Sequence, residues 1–152
     1  MSAPSPSDDR PAEEAALDAD FAPEPILPEP VRQRVTALVA AALPGMPLDE
    51  MPIPLRRVAR FAPNRRARLG GPAIAGQLAA DPLFRQRISK RIVADAGELG
   101  EAVAAGMAPA AADPVELAAL AYLARPEGWR DLLEVAGQAV REEAGSAAVA
   151  SQ

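Results

Sequence analysis

Apolar residues recur at spacings of three and four along most of the chain, and prolines and glycines interrupt them. The first such pattern ends at the turn-forming pair Pro44-Gly45. Its apolar positions are Val31, Val35, Leu38, Val39 and Ala42. This spacing places the apolar side chains on one face of an α-helix. No segment alternates with the period of two that is typical of a half-buried strand, so the pattern predicts an all-α fold.

Proline and glycine positions predict the boundaries of the following helices. A second helix is expected over about residues 54–61, and a short turn or helix follows it and ends at Gly70-Gly71. Pro72 is then expected to begin another helix that ends near Ala80. The Asp-Pro pairs at 81–82 and 113–114 each combine a capping side chain with a proline at the first helical position. Each pair therefore predicts a helix start.

The later helices differ in how their apolar residues are arranged. The helix after Asp81 is expected to point its apolar side chains inward and its cations outward or sideways. The apolar set is Leu83, Phe84, Ile88 and Ile92, and the cations are Arg85, Arg87, Lys90 and Arg91. The helix after Asp113 is apolar on every side, which predicts a buried central helix. A last helix is expected over about residues 126–143, with Trp129 in the core.

These patterns predict a compact bundle of six or seven short helices at residues 31–144, followed by a frayed end at residues 145–152. Residues 1–30 have a different composition, with eight acids, one arginine, several prolines and few large apolar side chains. Such a segment cannot bury enough apolar surface to offset the entropy cost of ordering it. We therefore expect a disordered acidic tail before the helical domain.

Positive charge is concentrated in one part of an acidic protein. Ten basic side chains and one acid lie within residues 56–91, whereas the whole chain has a net charge of -5. Nine of the ten are arginines, and the planar guanidinium group matches the geometry of phosphate oxygens. We therefore predict that this stretch contacts nucleic-acid phosphates. The predicted contact residues are Arg56, Arg57, Arg60, Arg65, Arg66, Arg68, Arg85, Arg87 and Arg91.

Two other interpretations of this charge remain open at the level of sequence. The arginines can form a solvated face and pair with acids elsewhere in the fold. Alternatively, the acidic tail can lie on the basic stretch and screen it from competitors, through contacts that are individually weak and sensitive to salt.

Several kinds of chemistry are excluded by residues that the chain lacks. It contains no cysteine and no histidine, which rules out thiolate and imidazole zinc sites and Ser-His-Asp triads. The glycines of "RLGGPAIAG" lack the lysine and hydroxyl residue of a phosphate-binding loop. We predict no catalytic residue, no metal site and no cofactor. No stretch approaches the ~20 apolar residues of a membrane span, and no secretory signal is recognised, so a cytoplasmic location is expected.

Two strings in the chain resemble a known family. "PLRRVARFAPNRRARLGGPAIAGQLAADPLFRQRI" and "ADPVELAALAYLARPEGW" are similar to the N-terminal helical region of actinobacterial RNA-binding NYN/PIN-domain (YacP-like) proteins. The resemblance covers about residues 31–143. In that family the PIN-like nuclease fold is a separate C-terminal domain, whose metal-binding aspartates lie on an α/β sheet. The sequence predicts no such sheet, so the resemblance implies an association with RNA metabolism and supplies no catalytic residue.

The sequence thus predicts a non-catalytic RNA-binding accessory domain. The alternative is a protein-interaction module that docks an acidic partner or a separate nuclease domain, through the arginine-rich face or through the last helix. An exposed apolar stripe beside Trp129 would favour the module, and a basic, polar surface would favour RNA.

Overall fold

A computed structural model describes residues 23–150, which fold into seven α-helices with no strand in that range. The helices are α1 (Glu29–Ala42), α2 (Ile53–Val58), α3 (Pro63–Ala80), α4 (Pro82–Asp95), α5 (Gly97–Ala104), α6 (Pro114–Ala124) and α7 (Trp129–Ala150). Two single-turn 3-10 helices, Leu43–Gly45 and Leu48–Glu50, connect α1 to α2. The predicted all-α bundle is confirmed.

Helix α6 lies at the centre of the bundle, as its uniformly apolar sequence predicts. Every residue from Leu117 to Leu123 is buried, and the helix contacts α1, α4, α5 and α7. A helix with apolar side chains around its whole circumference must be surrounded by other elements to remove them from water. Trp129, at the start of α7, is buried as expected. The core therefore forms around α6.

Helix α3 continues through Gly70, Gly71 and Pro72, so the predicted helix break at this point is wrong. Pro72 has no N–H, which removes the usual helical donor to the Arg68 carbonyl. Gly71 has no Cβ to clash with the ring of the following proline, and this relaxes the usual exclusion of helical geometry before proline. Beyond Pro72, Ile74 and Leu78 are buried. Their removal from water favours continuation of the helix.

Helix α4 begins as predicted, because the Asp81 carboxylate accepts a hydrogen bond from the Phe84 N–H at 3.1 Å. Its buried face is rotated relative to the prediction. Leu83 is 54% exposed and Arg85 is 3% exposed, so the predicted inward position of Leu83 and outward position of Arg85 are both wrong. Arg85 and Ser89 share the buried face with Ile88 because both polar side chains reach a backbone acceptor on α6.

The chain on either side of the bundle also differs from expectation. Most of the predicted tail at residues 1–30 lies outside the described residues. Residues Pro23–Pro28 are described, and they form an extended segment, here called the strap, that leads into α1 and bonds to α6 and α7. At the other end, α7 begins at Trp129 and runs to Ala150, through residues that were expected to fray.

Candidate nucleic-acid interface

The arginine-rich stretch folds into two helices joined by a tight turn. Helix α2 ends at Val58 and α3 begins at Pro63, and the Phe61 N–H donates to the Val58 carbonyl at 3.0 Å within the turn. Residues 51–80, which contain both helices, include six arginines and no acid. No carboxylate within this stretch is therefore available to neutralise its positive charge.

Four of these arginines point into solvent. Arg57, Arg60, Arg65 and Arg68 are exposed, and none of their side chains forms a hydrogen bond or ion pair with another residue in the described part of the chain. Arg87 on α4 is exposed in the same way. Each guanidinium group keeps its N–H donors available to an external acceptor. We call these five residues the open arginines.

Arg66 lies between these exposed side chains but points into the fold. Its Nη1 donates to the Ala40 carbonyl at 3.2 Å, and its Nη2 donates to the Phe61 carbonyl at 3.2 Å. Ala40 is in the last turn of α1, and the residue four positions further is Pro44, which has no N–H to offer. Arg66 supplies the missing donor, so it caps α1 rather than extending the exposed surface.

Arg85 has a similar role at the end of α6. Its Nη1 donates to the Leu123 carbonyl at 2.7 Å, and the Ser89 Oγ donates to the same oxygen at 2.7 Å. The last carbonyl groups of a helix have no intrahelical partner and carry a partial negative charge, which a cation stabilises. The sequence prediction placed Arg85 on the phosphate-binding face, whereas the side chain is buried against α6.

The two remaining predicted arginines are intermediate cases. The Arg56 Nε donates to the Met51 carbonyl at 3.4 Å, and the side chain is half-buried. The Arg91 Nη1 donates to the Gly45 carbonyl at 2.8 Å, and the side chain remains exposed. A guanidinium group has five N–H donors, so one backbone bond leaves others for a ligand.

The N-terminus of α3 adds positive potential beside the open arginines. Ala62 precedes the helix and offers no side-chain acceptor, and the first turn contains no acid. The aligned peptide dipoles leave a partial positive charge at this end of a helix. Arg65 lies in this first turn, where a cation disfavours the helix and favours an anionic ligand.

A groove between α1 and α3 extends from the open arginines. It has a volume of about 650 Å³, and its lining includes Arg32, Thr36, Arg68 and Ala75. Arg32 forms an ion pair with Glu29 on the same helix. Arg32, Thr36 and Ala75 also line a smaller hollow beside the strap. The groove therefore runs along the α1–α3 seam, with Arg68 and the strap at opposite ends.

A second polar site, which the sequence did not predict, holds the strap. Glu24 accepts a hydrogen bond from the Tyr122 hydroxyl at 2.7 Å, and its two oxygens lie 3.0 Å and 3.1 Å from the Arg125 Nη2. The Arg125 guanidinium carbon lies 5.0 Å from the Tyr122 ring centroid and 4.5 Å from the Trp129 ring centroid. We call Tyr122 on α6, Arg125 directly after α6 and Trp129 on α7 the carboxylate clamp.

The clamp residues are held in an unusual geometry. Arg125 has φ 47°, a left-handed conformation that glycine commonly occupies at the end of a helix. Burial and the hydrogen bond to Glu24 raise the pKa of Tyr122 to about 12. Because this value exceeds the usual tyrosine pKa of about 10, the clamp stabilises the fold below that pH and loses this contribution as the pH rises towards 12. No local sequence pattern predicts the left-handed backbone conformation of Arg125.

The clamp also bears on the idea that the acidic tail screens the basic stretch. Glu24 is the described acid nearest to the start of the tail, and it binds Arg125 rather than an arginine between residues 56 and 91. The other acids of the tail, apart from Glu29, lie outside the described residues. The screening hypothesis therefore stays a prediction for residues 1–22.

Comparisons of the chain with protein-family models, curated proteins and solved structures gave no match. No helix among residues 23–150 is long and apolar enough to cross a membrane. Within the same range, no three acidic side chains converge in a way that would hold a metal ion. The arginine surface and the clamp are the two features of the described residues that point to a function.

Proposed function

We propose that the chain is a non-catalytic RNA-binding accessory domain that holds phosphate groups through the open arginines. The observation that carries this proposal is the stretch at residues 51–80, which lacks any acid and exposes four arginines that have no partner in the described part of the chain. A nucleic-acid backbone presents closely spaced phosphates, and their neutralisation releases bound counterions. Contacts of this kind position the ligand without reading its sequence.

Two further features support RNA as the polyanion. The groove beside Arg68 gives the surface a depression next to its charges, where an unpaired nucleotide can lie. The resemblance of residues 31–143 to the N-terminal region of NYN/PIN-domain proteins favours a role in RNA metabolism. The lack of cysteine fits the reducing cytoplasm, where we propose that the protein acts.

The proposed contact set is smaller than the nine arginines predicted from the sequence. It consists of Arg57, Arg60, Arg65, Arg68 and Arg87, with Arg56 and Arg91 contributing their remaining donors. Arg66 and Arg85 belong to the scaffold, because their guanidinium groups bond to helix carbonyls.

The test is the binding of fluorescent single-stranded RNA, followed by anisotropy across a salt series. The triple variant Arg57→Gln, Arg60→Gln, Arg65→Gln should bind at least tenfold more weakly than the wild type at low salt. The slope of log affinity against log salt should become shallower by about 2, because each phosphate contact on a single strand contributes about 0.7.

A matched control removes three positive charges from other surfaces. Arg34, Arg130 and Arg141 lie on α1 and α7 and are exposed, but each already donates within the protein, to Glu116, Pro23 and Gln138 respectively. Their replacement by glutamine removes the same net charge without removing unpartnered donors, and should change RNA affinity by less than threefold. If both triple variants lose RNA affinity equally, the loss is explained by net charge alone and not by contacts of these particular arginines. If the wild type fails to bind RNA even at low salt, the surface serves an acidic protein partner instead, such as a nuclease domain.

One observation favours this second candidate. Leu48, in the 3-10 helix before α2, and Ile53, the first residue of α2, are 57% and 75% exposed. Apolar side chains next to a charged surface are common at protein interfaces. Val135, two turns along α7 from Trp129, is also exposed. A protein partner that binds beside α2 would bury Leu48 and Ile53 together with the neighbouring arginines.

A further inference from the structure

The strap occupies a binding site that is built almost entirely by other parts of the chain. The Tyr122 hydroxyl and the Arg125 guanidinium both donate to the Glu24 carboxylate, and Arg130 Nη2 donates to the Pro23 carbonyl at 3.1 Å. The Arg125 side chain is 4% exposed. Tyr122 belongs to α6 and Trp129 to α7, so both rings are fixed by the core of the bundle.

The clamp has the features of a preorganised receptor. Arg125 Nε donates to the Tyr122 carbonyl at 3.1 Å, and its backbone N–H donates to the Ala121 carbonyl at 2.9 Å. These bonds and the two aromatic rings orient the guanidinium without any contribution from the strap. An arginine held in this way loses little side-chain freedom when a carboxylate binds, which favours recognition.

The strap makes fewer buried contacts with the bundle than the clamp residues make with one another and with the core. Ile26 is 98% exposed and buries almost nothing, so Leu27, which is partly buried against the core, is the one large apolar side chain that anchors the strap. The Glu24 side chain is 31% exposed. Hollows lie on both sides of the segment, one towards α1 and α3 and the other towards α7. Segments with few buried apolar contacts detach at a low free-energy cost while the rest of a fold stays intact.

We propose that the carboxylate clamp is a recognition site for a proline-flanked glutamate on a partner protein, and that Glu24 of the strap occupies it as an internal competitor. The occupant seen in the structure defines the ligand chemistry, since Pro23-Glu24-Pro25 places one carboxylate on a stiff, extended backbone. The side-chain charge of such a peptide complements the buried Arg125. The clamp shares no residue with the open arginines, since Tyr122, Arg125 and Trp129 lie outside residues 51–91.

The proposal is tested with a labelled nine-residue peptide that copies residues 22–30. The full-length variant Glu24→Lys places a cation opposite Arg125, which displaces the strap from the clamp. It should bind the peptide at least tenfold more tightly than the wild type, because the tethered strap competes at an effective concentration of about 1 mM. Glu29→Lys alters the other Pro-Glu-Pro glutamate, which pairs with Arg32 outside the clamp, and should bind no better than the wild type.

Specificity is tested on the peptide and on the receptor. A peptide with glutamine at the position of Glu24 should bind about tenfold more weakly, because it lacks the charge that Arg125 recognises. Adding Tyr122→Phe to Glu24→Lys removes one hydroxyl and should weaken binding about threefold to tenfold. Circular dichroism checks that each variant is folded, and Glu24→Gln replaces Glu24→Lys if the lysine variant loses helicity.

Two results would overturn the proposal. If the folded Glu24→Lys chain binds the peptide no better than the wild type does, the strap contact is a fixed part of the fold. If the glutamine peptide binds as tightly as the glutamate peptide, the clamp does not recognise a carboxylate.

Discussion

Arg85 and Arg87 lie two positions apart on α4 and have opposite environments. Arg85 is buried and donates to the Leu123 carbonyl, whereas Arg87 is exposed. Sequence spacing gives the angle between two side chains around a helix, but it does not reveal which carbonyl groups elsewhere lack a donor. The fold shows that the Leu123 carbonyl near the end of α6 is such an acceptor. The sequence therefore located the arginines but could not separate scaffold from surface.

Replacing these two arginines should separate stability from RNA binding. Arg85→Ala should lower the free energy of unfolding by about 2–4 kcal/mol, because it removes a buried charged hydrogen bond and leaves a cavity. Arg87→Ala should change stability by less than about 0.5 kcal/mol and weaken RNA binding instead. Urea denaturation and anisotropy measure the two effects. Equal stability losses would contradict the different roles assigned to them.

Single elements were predicted most accurately where capping and apolar periodicity agreed, as at the start of α4 and throughout α6. The prediction failed in α3 because Gly70-Gly71-Pro72 has the composition of a helix end. The structure gives Gly70 a packing role, since a Cβ on this residue would lie 2.3 Å from Val58 Cγ1. Gly70 thus lets α2 and α3 approach closely, and this contact between distant residues has no local sequence signal.

Two glycines of α3 should respond in opposite directions to alanine. Gly70→Ala should destabilise the fold by about 1–3 kcal/mol, because the new Cβ would clash with a methyl group of the buried Val58. Val58 is β-branched, so rotation of its side chain would bring its other methyl group towards the same Cβ. Gly76→Ala should stabilise it by about 0.5–1 kcal/mol, since no atom lies within 4 Å of the added Cβ and alanine favours a helix. Thermal denaturation measures both changes.

A combined variant tests the cause of the Gly70 effect. Val58→Ala removes the methyl groups that the new Cβ would meet, so Gly70→Ala should cost less in that background than in the wild type. If Gly70→Ala lowers stability equally in both backgrounds, the contact with Val58 and the close approach of α2 to α3 do not explain its effect.

The whole molecule is an acidic segment joined to a neutral domain. Residues 1–22 contain six acids and one arginine, so they account for the entire net charge of -5 and residues 23–152 carry no net charge. Within the neutral part, charge is separated, because residues 51–80 hold six arginines and no acid. The sequence alone gave this charge map. It could not show that the strap, which joins the two parts, is bound at the clamp.

Removing residues 1–22 should strengthen RNA binding at low salt. A chain that begins at Pro23 keeps the strap and loses five net negative charges, so it should bind about threefold to tenfold more tightly at low ionic strength. The difference should shrink to less than about twofold at 0.3 M salt, where charges beyond several ångströms are screened. A full-length chain in which the six acids of residues 1–22 are changed to amides should bind RNA as tightly as the shortened chain. Different affinities would show that the length of the segment, and not its charge, causes the change.

The capping of α1 by Arg66 has a consequence for how this surface can change over time. Arg66 points inward because Pro44 cannot donate to the Ala40 carbonyl. A non-proline residue at position 44 would supply that donor from the backbone and release Arg66 towards solvent, next to Arg65. The number of cations offered to a ligand is therefore set partly by a proline that lies on another helix. An evolving lineage can raise or lower its affinity for a polyanion without gaining or losing a single arginine.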